Sequence, residues 1–388
     1  MASTTISNQV ASKPESDDVP QHLVASQWKL MWWKFRKHRL AMVSLFIILG
    51  LYTVAIFAGF FAPTTTDSYH RFYTSAPPQR VHLFDDGRFS PFVYAYKQET
   101  DPLTYARIYT VDEEDKIDLG FFVTGEPYKV GLHGIPIYPI NQLAITLDIH
   151  LFGPVNADDP FYPFGADDVG HDMLSRIIYG SQVSLSIGLA GVFLSLILGI
   201  FLGGVSGLAG GWVDNLIQRT IEMIRSVPDI PLWMALATAV PPRWDPVYVY
   251  FGITVVLSLI RWTEMARVVR GKFLSLREED FILAAHLDGV PRTRLLAKHM
   301  IPSFMSHIIA SATLAIPGMI LGETALSFIG LGLRDPVVSW GVMLQDALNI
   351  AAIAKMPWLM LPGAAVVITV LAFNYLGDGL RDAADPYH

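Results

Sequence analysis

Leu40–Ala62 is an apolar run without a single charged residue. A helix needs roughly 20 such residues to cross the ~30 Å of hydrocarbon in a bilayer. Further apolar runs cover Val183–Leu208, Ile217–Val240, Tyr248–Met265, Phe304–Leu321 and Trp358–Gly377. The chain of 388 residues is 52% hydrophobic and only 16% charged, against about 25% charged for a soluble domain. The expected fold is an all-α polytopic membrane protein with six transmembrane helices. With no cysteine in the chain, disulfides and thiolate metal sites are excluded. No histidine pair has H-x-x-x-H spacing, so no metal site is expected. The net charge of −7 is divided by a membrane and describes no one surface, and no basic block with interleaved aromatics points to nucleic acid.

Charge at the flanks sets the orientation. Lys34, Arg36, Lys37 and Arg39 precede the first run, and Asp67 is the first charge after it. The positive-inside rule then places the N-terminus in the cytoplasm, and six spans return the C-terminus there. Residues 266–303 also fall inside, and they carry Arg267, Arg270, Lys272, Arg277, Arg292, Arg294 and Lys298. Residues 1–24 are polar and read as a disordered cytoplasmic tail. Residues 25–62 hold a basic, tryptophan-rich interfacial helix and the first span. Residues 63–163 are acidic and dense in Tyr, Phe and Pro, with short alternating pieces such as RIYTV and YKVGLHGIPIY, which predict strands. They form an extracytoplasmic insertion, mixed α/β or otherwise β-containing. It would contact an external protein, cap a partner, or simply stand as a stable domain. Residues 164–388 are the core with five more spans, led by an amphipathic helix over Asp167–Gln182.

Two features of this core bear on function. The third run is interrupted by Glu222, Arg225, Pro228 and Pro231. Charges inside a membrane segment are costly and face protein or water. Proline breaks suit a helix that lines a path, and they occur in packing helices too. Glu222, Pro228 and Pro231 are therefore candidates for a translocation path. Glu323, near the outer end of the fifth run, would either face that path or pair with a neighbour. Gly199, Gly203, Gly207 and Gly211 recur every fourth residue, a stripe that lets helices approach closely.

The other feature is FILAAHLDGVPRTRLLAKHMIPS, Phe281–Ser303. Glu278, Glu279 and Asp280 favour a helix start, Gly289 permits a turn, and Pro291 suits the start of a second helix. Pro302 ends it before the fifth run. This helix, glycine turn and helix is either a solvated connection or a docking surface. In the docking reading, Ala284, Ala285 and Gly289 permit close approach, and the charged neighbours Asp288, Arg292 and Arg294 fix orientation.

The segment resembles the EAA loop of ABC-importer permeases, Glu-Ala-Ala, three residues, Gly, nine residues, Ile, one residue, Leu-Pro. Ala284, Ala285, Gly289 and Pro302 fall on that pattern, whereas Leu283, His299 and Ile301 replace its glutamate, isoleucine and leucine. FGADDVGHDMLSRIIYGSQVSL (Phe164–Leu185), GETALSFIGLGLRDPVVSWGVML (Gly322–Leu344) and FNYLGDGLRDAADP resemble the C-type permeases of dipeptide and oligopeptide importers. There the family's usual Gly-Arg-Asp is Gly170-His171-Asp172. The match covers about 25–62 and 160–388, and no motif covers the insertion.

The resemblance implies the ABC-importer permease fold in a bacterial inner membrane. The implied partners are a second, B-type permease, one or two cytoplasmic ABC ATPase subunits and an extracytoplasmic solute-binding protein, with membrane lipid around the spans. Phe281–Arg294, with Phe281 at its start, would dock in the ATPase. This chain has no G-x-x-x-x-G-K-[ST] phosphate loop, since Gly271-Lys272 continues with Phe273. ATP and Mg are thus expected in the partner subunits, with no cofactor on this chain and no catalysis by it. Di- or oligopeptides are the implied cargo; oligosaccharides, opines and nickel are the alternatives. Two other classes are weighed. An intramembrane serine protease would use Ser206 within Gly204–Gly207, with His299 or His307 as base. A stand-alone secondary transporter or channel would show an inverted repeat, and none is evident.

Overall fold

The computed structural model describes residues 27–385, except 104–106, 131–144, 242, 296–297 and 299. The expected tail 1–24 and positions 131–138 of the YKVGLHGIPIY piece lie outside the described residues. A short basic helix, α1 (Gln27–Lys37), precedes α2 (Arg39–Ile56) and a single turn, α3 (Ala58–Phe61). Four strands follow among the described residues: β1 (His82–Asp85), β2 (Arg88–Thr100), β3 (Arg107–Val130) and β4 (Ile145–Pro154). They pair antiparallel in chain order. RIYTV opens β3, and Val93, Ala95, Ile117 and Phe161 make a small core beneath β2 and β3.

The bundle follows, with α4 (Met173–Ala209), α5 (Gly211–Arg225), α6 (Asp229–Ala237), α7 (Pro246–Leu276), α8 (Asp280–Leu287), α9 (Arg292–Leu295), α10 (Ile301–Ser303), α11 (Met305–Phe328), α12 (Trp340–Gln345), α13 (Ile350–Lys355) and α14 (Leu361–Ala384). Among the described residues, five helices are long and apolar enough to cross a membrane: α2, α4, the bulk of α7, α11, and α14 with the turn before it.

Two expectations are corrected here. A single third span over Ile217–Val240 is replaced by two shorter helices, α5 and α6, separated at Ser226–Pro228. Proline lacks the N–H that a continuing helix needs, and the residue before it is driven out of helical geometry. The separate lead-in helix over Asp167–Gln182 does not exist either. Gly170 has φ +104°, which no helix accommodates, so 167–171 is a loop. Asp172 then caps α4, accepting from Leu174 N at 3.3 Å and Ser175 N at 2.8 Å. From there α4 runs unbroken through the second apolar run.

The glycine stripe lies where α4 crosses α7. A Cβ on Gly199 would fall 2.5 Å from Met265 Cβ, and one on Gly207 2.8 Å from Phe273 Cβ. Gly203 faces the Ala266 carbonyl. Gly211 leaves the stripe: it has φ +56° and forms the turn into α5.

The bundle has two distinct poles. At one, Thr64 N donates to Ser175 Oγ at 3.1 Å, His70 N to Gly170 O at 3.1 Å and Trp358 Nε1 to Ala166 O at 2.8 Å. These bonds fasten the sheet-bearing insertion to the starts of α4 and α14. At the other, Lys34 Nζ donates to Asp385 O at 2.9 Å, and Leu208, Phe273 and Phe304 share a cluster with α8 and α9. Thus α4 ends at the hairpin pole, while Tyr250 near the start of α7 shares a cavity with Tyr128 of β3 at the sheet pole. The segment α5–α6 carries the chain from one pole to the other.

Candidate functional site

The segment Asp280–Leu295 folds as the glycine spacing predicts, with α8, a turn and α9. Gly289 has φ +74°, a left-handed conformation that costs glycine little and other residues about 1–2 kcal/mol. Val290 N donates to Ala285 O at 3.2 Å, the six-to-one bond of a Schellman cap. Arg294 N and Leu295 N then donate to Pro291 O at 2.9 and 3.0 Å, which starts α9 on the proline.

One face of this hairpin is anchored. Ile282 and Leu295 are buried with Met265, Val269, Phe273 and Phe304, and Ala285 and Val290 pack against the same cluster. The hairpin therefore rests on α7 and α11. Its other face is open: Phe281 is 46% exposed, Leu283 48% and Leu287 87%. Ala284, Asp288, Gly289 and Arg294 are exposed as well, as is Pro302 in α10. Arg292 lies in α9; Leu296 and His299 lie outside the described residues. The open face thus carries apolar surface edged by charge on an element anchored from below.

Beneath the hairpin sits a pair whose joint role was not visible in the sequence. Arg270 donates through Nε to Asp214 Oδ1 at 2.6 Å and through Nη2 to Oδ2 at 2.5 Å. This bidentate contact ties α5 to α7. In the sequence Arg270 reads only as topological charge, because its partner is remote in the chain.

The candidate path residues divide. Glu222 is half-exposed and paired with Arg219 at 2.7 Å, and Pro228 and Pro231 are exposed around the α5–α6 break. Glu323 does not share that surface. It is wholly buried and accepts hydrogen bonds from Ser327 Oγ at 2.9 Å, Ser339 Oγ at 2.8 Å and Ser184 Oγ at 3.3 Å. Glu323 thus pairs with neighbours: three hydroxyls from α4, α11 and the start of α12 satisfy the buried carboxyl.

At the sheet pole, Asp167 organises the loop before α4. Its Oδ1 accepts from the backbone N–H groups of Val169, Gly170 and His171 at 3.0, 2.7 and 2.8 Å. Its Oδ2 faces His171 Nδ1 at 2.8 Å and the buried Arg176 guanidinium, which also reaches Asp335 at 3.3 Å. Burial alone would raise this carboxyl, but the His171 hydrogen bond and the Arg176 charge outweigh it and hold it at about 2. Asp172, buried without a cation, is pushed up to about 6. Burial, with Asp168 nearby, likewise raises Asp346 to about 6.

Ser206 is not placed for nucleophilic attack. It is fully buried, hydrogen-bonds Asp214 and accepts from Gln218 Nε2 at 3.0 Å, with no histidine among its hydrogen-bond partners within the described residues, which include His307 but not His299.

Comparison with known proteins assigns this architecture. The profile for binding-protein-dependent transport system inner membrane components matches residues 172–387, and that for the N-terminal transmembrane domain of oligopeptide transport permease C matches 26–78. The oligopeptide transport system permease protein OppC of Haemophilus influenzae is 39% identical over 227 residues, covering 58% of this chain and 70% of the relative. OppC of Bacillus subtilis is 37% identical over 236 residues, 60% and 75% respectively. The dipeptide transport system permease protein DppC of Alkalihalophilus pseudofirmus is 38% identical over 224 residues, 58% and 71%.

Proposed function

The chain belongs to the family of binding-protein-dependent transport system inner membrane components, and from that premise we propose that it imports di- or oligopeptides as one permease of an ATP-driven complex. The relatives named for oligopeptide and dipeptide transport support this cargo over oligosaccharides, opines or nickel. The implied partners are a second permease, one or two cytoplasmic ATPase subunits and an external solute-binding protein. ATP and Mg belong to the ATPases, and this chain catalyses nothing.

The reading is carried by one observation: the hairpin at Asp280–Leu295 is fixed to α7 and α11 on one face and bare on the other. A rigid element of this kind transmits the closing of an ATPase pair to the spans as a rigid-body movement. We take Phe281, Ala284, Ala285, Asp288, Gly289, Arg292 and Arg294 as the contact, with Pro302 linking it to α11. The proline-broken α5–α6 segment serves as the sixth membrane crossing. With six crossings both termini and the hairpin lie in the cytoplasm, and the sheet lies outside.

The test is uptake of defined tripeptides and trisaccharides by cells with and without this chain. Loss of peptide uptake alone is the expected result. Loss of trisaccharide uptake alone would overturn the cargo, and peptide uptake that persists without the ATPases would overturn the mechanism.

A further inference from the structure

A cavity of about 420 Å³ opens between α4, α7, α11 and α14 in the half of the bundle nearer the hairpin, within the range of small-ligand sites, roughly 300–1,000 Å³. Arg261, Lys272 and Arg381 line it against one carboxylate, Glu264; His307 of α11 lines it too. The cations are not placed alike. Lys272 and Arg381 stand toward the helix ends at the hairpin pole, whereas Arg261 lies about 16 Å deeper along α7 at 1.5 Å per residue.

Arg261 is under-satisfied where it stands. Glu264 Oε2 is 3.6 Å from Nη1 and Asp229 Oδ2 is 4.0 Å from Nη2, both beyond the 2.7–2.9 Å of a charge-assisted hydrogen bond. Its Nε is buried without a partner among the described residues. The guanidinium stacks on Trp233 at 5.4 Å, and that indole N–H is also buried without a partner. Space for the head group is made by Gly318, where a Cβ would collide with Arg261 Nη2. A planar donor fork, held over an aromatic ring and short of acceptors, matches a carboxylate.

We propose that Arg261 holds a carboxylate within the translocation route, the C-terminal carboxylate of the cargo peptide. The depth of Arg261 favours cargo over a lipid head group, which would meet Lys272 and Arg381 first. The identity of the anion rests on the peptide reading; the anion site rests on this geometry alone.

The absence of cysteine gives a test that needs no transport. Ser311, on the cavity wall, is changed to cysteine in the full complex in phosphatidylcholine vesicles. Labelling of this chain by the anionic sulfonatoethyl methanethiosulfonate is compared with that by neutral methyl methanethiosulfonate. Arg261→Gln is expected to lower the anionic-to-neutral rate ratio about ten-fold, and Arg261→Lys to keep most of it. Tri-alanine, but not tri-alanine amide, is expected to slow labelling when Arg261 is present.

An unchanged ratio in Arg261→Gln overturns the anion site, whatever the cargo. Equal protection by acid and amide, protection by neither, or protection that depends on added phosphatidylglycerol overturns the cargo carboxylate as its occupant. If the ratio falls but the complex moves no peptide, the anion site stands and the peptide reading fails. If peptide is moved with an unchanged ratio, the reading stands and the site fails.

Discussion

At the sheet pole, one Asp167 carboxylate takes three backbone N–H groups, an imidazole and a guanidinium, all in the loop before α4 or its first turns. At the hairpin pole, Leu287 is 87% exposed, and Phe281 and Leu283 stand beside it nearly half exposed. The first region is closed on itself: both Asp167 side-chain oxygens are taken, with only Arg176 Nε and Thr74 Oγ1 lacking a partner among the described residues, and a trespassing Cβ at Gly170 would lie 2.5 Å from His70 O. The second is anchored from below by Ile282 and Leu295 and left open above. The difference separates two tasks. Self-satisfied polar contacts fix the insertion to the bundle, while exposed apolar surface on a fixed hairpin is suited to an outside partner.

The comparison breaks most readily at Arg176. Arg176→Ala leaves Asp167 buried beside no fixed cation, and losing one partner of a buried pair costs about 3–5 kcal/mol. A lower melting temperature of the purified protein is expected, with the hairpin still protected at Ile282 in hydrogen exchange. An unchanged melt would show that this clasp is not what secures the sheet pole.

Acidity acts on the same clasp, with opposite signs for two neighbours. The Asp167 carboxyl is depressed, so its contribution of about 2–3 kcal/mol is present above its unfolded value near 4 and is lost as pH falls toward 2. The Asp172 carboxyl is raised to about 6, so its ionisation weakens the fold as pH rises from about 4 to 6. The melting temperature is expected to climb from pH 2 to 4 and sag from 4 to 6. Asp172→Asn, which keeps an N-cap oxygen, should remove part of the sag; a deeper sag would refute the assignment.

At the other pole the expected costs to the fold are smaller and the functional effects larger. Gly289→Val forces a β-branched residue into φ +74°, at about 1–2 kcal/mol. The chain should remain in the membrane while peptide uptake falls at least about ten-fold, read by transport in cells with matched protein levels. Wild-type uptake would remove the turn from the mechanism. Leu287→Glu should shift the melt by less than about 0.5 kcal/mol, as exposed substitutions do, yet weaken co-purification of the ATPase. A destabilised chain with the ATPase still bound would show that this face is structural.

Much of this architecture is legible in the sequence, and the illegible parts share a cause. Apolar runs mark the five long helices, and Gly289 with Pro291 marks the hairpin turn, because span length and turn chemistry are local. The α5–α6 break is written in Pro228, yet hydropathy smooths over it. The lead-in helix fails at Gly170, whose backbone angle depends on Asp167 collecting the loop's N–H groups. Glu323 reads as an intramembrane charge; only folding brings Ser184 and Ser339 to it. The Asp214–Arg270 pair and the Arg261 cavity are legible only in three dimensions, since each is assembled from segments distant in the chain.

Site-specific crosslinking tests the central claim most directly. In this cysteine-free chain, Leu287→Cys is placed on the open face of the hairpin and Phe89→Cys on the exposed sheet, each carrying a short photoactivated linker in the complete transporter. Crosslinks from position 287 to the ATPase subunit, changing in yield with ATP, and none from position 89, are the predicted result. Position 287 reacting only with lipid or solvent in every nucleotide state, or position 89 capturing the ATPase, would contradict it.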